Sequence, residues 1–274
     1  MKSIILLSTS LLVSIMASSL NPQRGYDFTP EDFGMEYQEV HIKTEDDVNL
    51  TGWWLKPMDE KSKKCIVFSH SGEGNMQEYL EYVSNFVSLG YYVLMYDYRG
   101  YGTSDEFHIS NRFYFYSQFA RDITGALDWV HKYKASFSVD MYGVGIGAGL
   151  SLAVAANRPE VEYVIADGPY TTLTKVQDNW MKANNEKIMI PLGFDKNYIE
   201  PEFGLASGGA QLKGILLIAS TSDQIIPLSD IQNLQKIHKK GCKIFTVASE
   251  DNSQNLSTNK DAYFQQVKDF LGIK

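Results

Sequence analysis

The stretch "MYGVGIGAGLSLAVAANRP", residues 141–159, places four glycines at alternating positions, Gly143, Gly145, Gly147 and Gly149, between an apolar strand-like run and a helix-like one. Two chemistries use such a turn. In a dinucleotide-binding turn, G-x-G-x-x-A, glycines let the backbone approach a pyrophosphate at a helix N-terminus, and an acid at the end of the next strand binds ribose. Gly143, Gly145, Ala148 and Asp167 fit that grammar. In a nucleophile elbow, G-x-S-x-G, the central residue sits on a sharp strand-to-helix turn and small neighbours make room for it. Gly143-Val144-Gly145-Ile146-Gly147 fits that frame with glycine at the nucleophile position. Chain position weighs against the dinucleotide reading, because that fingerprint normally opens its domain and at least four strand-like runs precede this one.

The elements that would position this turn follow from periodicity. "CIVFSH" (65–70), "YYVLMYD" (91–97), "VEYVIAD" (161–167) and "GILLIAS" (214–220) are short continuous apolar runs, as expected of strands buried on both faces of a parallel sheet. "SVDMYGVG" (138–145) and "CKIFTVAS" (242–249) read as two more. Near the start, "EYQEVHIKTEDDVNLTGWWLKP" reads as two strands joined at a polar turn, residues 44–47. Leu80, Val83, Phe86 and Val87 recur at helical spacing, as do Ala120, Ile123, Leu127 and Val130. Strand–helix alternation of this kind predicts an α/β domain with crossover connections. Residues 169–209 break the rhythm and are expected to form an insertion, a cap over one edge of the sheet. The aromatic run "NRFYFYSQFARD" (111–122) is expected to pack as helix, or to floor a cleft beside the cap.

Composition sets outer bounds. The chain has 274 residues and a net charge of −8, which disfavours nucleic acid and anionic membrane surfaces as partners, since both call for a basic face. Residues 1–19 resemble a secretory signal: Lys2 is followed by an apolar, hydroxyl-rich run, then small residues at Ala17 and Ser19 suited to cleavage. A span needs about 20 predominantly apolar residues, more than this run supplies. Export to a periplasmic or extracellular compartment is therefore expected, with an uncleaved membrane anchor as the alternative. Cys65 and Cys242 each open a strand-like run and are expected to be buried thiols, with a disulfide open to them in an oxidising compartment. The five histidines are scattered and no cluster has zinc-ligand spacing, so neither metal nor cofactor is expected.

Four further stretches carry a resemblance. "TPEDFGMEYQEVHIKTEDDVNLTGWWLKP", "VFSHSGEGN", "LMYDYRGYGTSD" and "ASTSDQIIP" resemble, in order, segments of the α/β-hydrolases of the serine hydrolase and serine aminopeptidase-like group, from about residue 30 to the end. The resemblance implies a mostly parallel eight-stranded sheet flanked by helices. It assigns the oxyanion loop to the residues after His70, where Ser71 stands in place of the family's glycine. It makes Asp223 the acid and places the histidine near Asp251. Oxyanion donors would be the N–H of Ile146 and one from Ser71 or Gly72. Arg99, with Asp97, Tyr98 and Ser104, would tie loops together.

A serine hydrolase needs a hydroxyl nucleophile, a histidine that takes its proton and a carboxylate that orients the histidine. Gly145 offers no hydroxyl, and no histidine follows His238. The expectation is a protein that has lost this machinery and binds a small molecule, peptide or partner without turnover. The competing expectation is an esterase or peptidase with an unconventional nucleophile. Ser71 beside His70, or Asp223 paired with Asp251, would then supply the chemistry.

Overall fold

The computed structural model describes residues 20–59 and 61–273, so the expected signal segment at residues 1–19 lies outside the described residues. The first two strands of the main sheet, β1 (Glu36–Lys43) and β2 (Asn49–Lys56), form an antiparallel hairpin. Its turn is closed by the Thr44 N–H on the Val48 carbonyl at 2.9 Å, and the Thr44 hydroxyl donates to Asp46. There follow β3 (Lys64–Ser69), α1 (Leu80–Ser88), β4 (Tyr92–Tyr96), α2 (Phe119–Tyr133), β5 (Ser138–Val144), α3 (Ile146–Ala155) and β6 (Val161–Asp167). Three helices succeed β6: α4 (Leu173–Asn184), α5 (Lys196–Ile199) and α6 (Pro201–Ser207). The chain ends with β7 (Gly214–Ser220), α7 (Leu228–Ile237), β8 (Cys242–Val247), α8 (Asn255–Thr258) and α9 (Lys260–Leu271).

The eight strands lie in the order β1-β2-β4-β3-β5-β6-β7-β8. β2 is antiparallel to β1 and β4, and every other neighbouring pair is parallel. Strands β3 to β7 are buried on both faces, which is why their sequences run apolar without alternation. Leu80, Val83, Phe86, Tyr263 and Phe264 cover one face from α1 and α9. Phe119, Ile123, Leu127, Val130 and Leu150 cover the other from α2 and α3. Cys65 and Cys242 are buried free thiols. The strand order reverses direction at β3, since β4 lies on one side of it and β5 on the other. In an open parallel sheet such a reversal leaves a crevice beyond the carboxyl ends of the two strands. Here those ends carry Ser71 and Gly145.

The aromatic run at 111–122 is not the one helix expected of it: α2 begins only at Phe119, and the Tyr114 N–H instead donates to the Met189 carbonyl at 2.8 Å. The segment 169–209 divides between two places. α4 reaches the crevice, where the Asn179 amide donates to the Ile225 carbonyl at 3.1 Å. α5 and α6 pack on α3, and the Gly209 N–H bonds the Ala156 carbonyl at 2.8 Å.

Candidate functional site

The turn after β5 has the shape of an elbow. Gly145 holds φ 57° and ψ −121°, in a region where a side chain costs roughly 1–3 kcal/mol. Its N–H donates to the Asp167 carbonyl at 2.8 Å, fixing the turn to β6. At Gly147 the reason for glycine is proximity, because a Cβ there would run into the Ser69 and His70 carbonyls. A Cβ built on Gly145 would lie 3.0 Å from the Cβ of Ser71, tighter than ordinary van der Waals contact. The turn keeps the elbow shape, position 145 carries no side chain, and Ser71 crowds it.

Asp223 lies on the loop after β7 with both oxygens occupied. Oδ1 accepts the N–H groups of Ile225 (2.8 Å) and Ile226 (2.7 Å). Oδ2 accepts the backbone N–H of Asn252 at 2.9 Å and its amide Nδ2 at 2.7 Å. Asn252, the residue after Asp251, is the one that faces Asp223. Asp251 instead accepts from Ser253, through its N–H at 2.8 Å and its hydroxyl at 2.5 Å. The two carboxylates are thus each bound to neutral donors rather than to one another, and the paired-acid expectation fails. Asn252 is held from the other side as well, its Oδ1 accepting from the Ser220 N–H at 2.7 Å and from Asn255 at 3.2 Å.

Of the expected oxyanion residues, Gly72 is unsuitable. Its N–H donates to His70 Nδ1 at 3.1 Å and its carbonyl accepts from the Tyr101 hydroxyl at 2.8 Å. Ile146 opens α3, so its N–H has no carbonyl four residues back within the helix. Ser71 lines the crevice, and its hydroxyl lies 2.6 Å from that of Tyr79.

His70 is fully buried, and burial holds its imidazole down to about 3. With Nδ1 accepting from Gly72, the proton sits on Nε2, 3.6 Å from Asp97 Oδ1. Asp97 accepts from the Tyr26 hydroxyl (2.6 Å) and the Met76 N–H (2.7 Å), and burial raises it to about 7. His70 therefore braces the loop, and the Ser71–His70 pair does not form. Burial pushes the Tyr79 hydroxyl up to about 12, so the actual neighbour of Ser71 is a poor base at neutral pH. Arg99 ties loops as expected, bonding Asp122 at 2.7 Å and Asp46 at 2.8 Å. Ser104 joins the same turn through the Asp97 carbonyl, 2.8 Å away.

Beneath the crevice runs a polar network that sequence reading missed. Asp167 accepts from Asn255 (2.6 Å) and from the Tyr263 hydroxyl (2.7 Å), and Tyr263 in turn meets Tyr142 at 2.8 Å. Burial raises the Asp167 carboxyl to about 7. Asp167 is thus turned into the fold, away from any bound ribose, which removes the acid that the dinucleotide reading needs.

The crevice encloses about 380 Å³. Tyr79, Tyr82, Tyr114 and Trp180 give it an aromatic wall, and Asp223 and Asp251 lie along its edge. A larger groove of about 890 Å³ runs beside α2, but its charges are paired among themselves, Arg158 with Glu160 and Arg121 with Glu45. Among the described residues, no group of three or more His, Cys, Asp or Glu side chains could hold a metal ion. Nor, among them, is any helix long and apolar enough to cross a membrane.

Comparison with known proteins agrees with this geometry. Residues 60–193 match the family model described as serine aminopeptidase, S33. The chain is 24% identical over 256 residues to protein bem46 of Schizosaccharomyces pombe, covering 89% of this chain and 79% of that protein. It is 24% identical over 240 residues to the uncharacterized protein YqkD of Bacillus subtilis, covering 81% and 75% respectively. Among solved structures, the esterase Pf2001 of Pyrococcus furiosus superposes with a TM-score of 0.73 at 22% identity, over 92% of this chain and 98% of that one. An acylaminoacyl peptidase of Pyrococcus horikoshii gives 0.63 at 18% identity, over 90% of this chain and 43% of its own. At such identities the structural likeness is one of fold.

Proposed function

We propose that this protein, which has the fold of the α/β-hydrolases, is a binding protein that holds a small ligand, peptide or partner in the crevice without turnover. The observation that carries the reading is the pairing of Asp223 with Asn252. A carboxylate at this place in the fold serves a hydrolase by orienting an imidazole, which must then exchange a proton with a hydroxyl. An amide can accept the orientation but has no proton to exchange at neutral pH. Gly145 removes the hydroxyl on the opposite side. Esterase and peptidase are activities of the similar proteins, and a shared fold does not carry them over.

The signal-like residues 1–19 support export of the protein to a periplasmic or extracellular compartment, with retention by an uncleaved anchor as the alternative.

The test is hydrolysis of a panel of activated acyl esters by the purified protein, with Asp223→Ala and Ser71→Ala run beside it. Turnover no higher than buffer in all three supports the binding reading. Turnover that disappears in either variant would overturn it and return the protein to the hydrolases.

A further inference from the structure

From the walls of the crevice we infer that its ligand is a small organic cation, an alkylammonium whose charged head sits between the acidic edge and the tyrosine faces with its apolar arm toward Trp180. This assignment rests on the binding reading above and narrows it to a chemical class.

Three observations converge. The first is charge. Four acidic side chains line the cavity, Glu73, Asp223, Glu250 and Asp251, while no Lys, Arg or His does so among the described residues. Among the described residues none of the four takes part in an ion pair: Lys and Arg side chains pair elsewhere, as Lys56 does with Glu36 and Lys213 with Glu162. Asp223 and Asp251 are satisfied only by neutral N–H and O–H donors. Like charges gathered in a concave site with low-dielectric walls focus a field that draws the opposite charge and repels carboxylates and phosphates.

The second is the aromatic wall. Tyr79 and Tyr82 lie one helical turn apart, with ring centroids 5.6 Å apart and planes tilted by 51°. The Tyr82 ring is backed by Tyr142 at 6.3 Å, so the wall is set before a ligand arrives. Aromatic faces attract an organic cation through their quadrupole, and more strongly when water is excluded. Trp180 adds the largest such face from α4.

The third is size. At about 380 Å³ the cavity falls at the small end of ligand pockets, which run from roughly 300 to 1,000 Å³. Gly145 lines it without putting a side chain into that volume. A carboxylate-bearing product of ester hydrolysis would meet the acidic edge, so the wall chemistry and the missing nucleophile point the same way.

The test titrates the full purified protein by calorimetry with three ligands of equal arm length: hexyltrimethylammonium, hexanol and hexanoate. The ammonium is expected to bind at least about tenfold more tightly than hexanol, with hexanoate weakest. The preference should shrink as salt is raised from about 20 mM to about 300 mM, because exposed carboxylates are screened. Glu73→Gln with Glu250→Gln, both at exposed positions, should cut the ammonium preference several-fold, and Trp180→Ala should weaken the ammonium and hexanol together. Glu36→Gln, on the far edge strand, should change nothing. Equal binding of hexanol and the ammonium, or an ammonium preference untouched by the double variant, would overturn the cation assignment while leaving the binding reading in place. Turnover of esters, measured separately, is what would overturn that reading.

Discussion

The Cβ of Ser71 lies 3.0 Å from where a Cβ on Gly145 would stand, so the two loop ends at the mouth of the crevice compete for one volume. The sequence resemblance puts glycine at the first position and a hydroxyl residue at the second. This chain has the two exchanged, with serine at 71 and glycine at 145. Physically each makes room for the other.

This reciprocity predicts a coupled pair. Gly145→Ser alone should lower stability by about 2–4 kcal/mol, from the positive φ and the crowding together. Ser71→Gly should lower it by about 1 kcal/mol, mainly through backbone entropy. The double variant should be less destabilised than the sum by at least about 0.5 kcal/mol, as expected of contacting sites. Urea denaturation of the four proteins reads the cycle, and strict additivity would show that the two positions do not contend.

Asn252 is expected to be the structural keystone of the acid loop. Asn252→Ala removes an amide that donates to Asp223 and accepts from the Ser220 N–H, leaving a buried donor without a partner. The loss should be about 3 kcal/mol. Asn252→Asp keeps the shape but sets a second carboxylate against Asp223, so it should be worse than alanine at neutral pH and recover as the solution is acidified. A ranking with aspartate above alanine at pH near 7 would mean the amide donor is not what holds the loop.

Stability should also fall with rising pH through the buried acids. Burial raises Asp97, Asp140 and Asp167 to about 7, against 3.8 for a free aspartate. The folded chain therefore binds protons that the unfolded chain releases between these values. The contribution of each is fully present below the unfolded value and is lost as pH rises to about 7, at up to about 1.4 kcal/mol per pH unit. His70, held down to about 3, acts in the opposite sense, its contribution being lost as pH falls below the ordinary histidine range. Comparing Asp167→Asn with the parent cancels His70. The drop in urea midpoint between about pH 5 and about pH 8 should be smaller in the variant. An equal drop in both would show that Asp167 is not a proton store.

Much of the scaffold could be read from residue type alone, because continuous apolar runs such as "VEYVIAD" have few structural meanings. The elbow was legible for a similar reason: glycine at four alternate positions between a strand and a helix marks a turn that needs positive φ or close backbone approach. That Asp223 would lie at the crevice was legible through its segment, but its partner Asn252 was not. Asp251 and Asn252 are adjacent polar residues, and only the extended conformation of Asp251, φ −145° and ψ 173°, decides which of them turns toward Asp223. The Asp167–Tyr263–Tyr142 network joins positions as far as 121 residues apart, and no local pattern announces it. Tyr114 lines the crevice, which was the second of the two readings of its aromatic run; helix packing was the first, because aromatic residues at such spacing usually serve a core.

Three substitutions should bring a nucleophile, an imidazole and a carboxylate together: Gly145→Ser to supply the hydroxyl, Ser71→Gly to give it room, and Asn252→His to place an imidazole on Asp223. The resulting chain order of nucleophile, acid and histidine is the one this fold uses. Triad members act as a unit, so restoring one alone should gain little. A serine-directed phosphonate followed by intact-mass measurement reads the result without needing a substrate. The parent protein and Gly145→Ser alone should stay unmodified, while the triple variant should gain one adduct at position 145. Labelling of Gly145→Ser as fast as the triple variant would show that Ser71 and Asn252 do not hold the site closed. An adduct on the parent at Ser71 would go further, since Tyr79 would then be activating a nucleophile despite its raised hydroxyl.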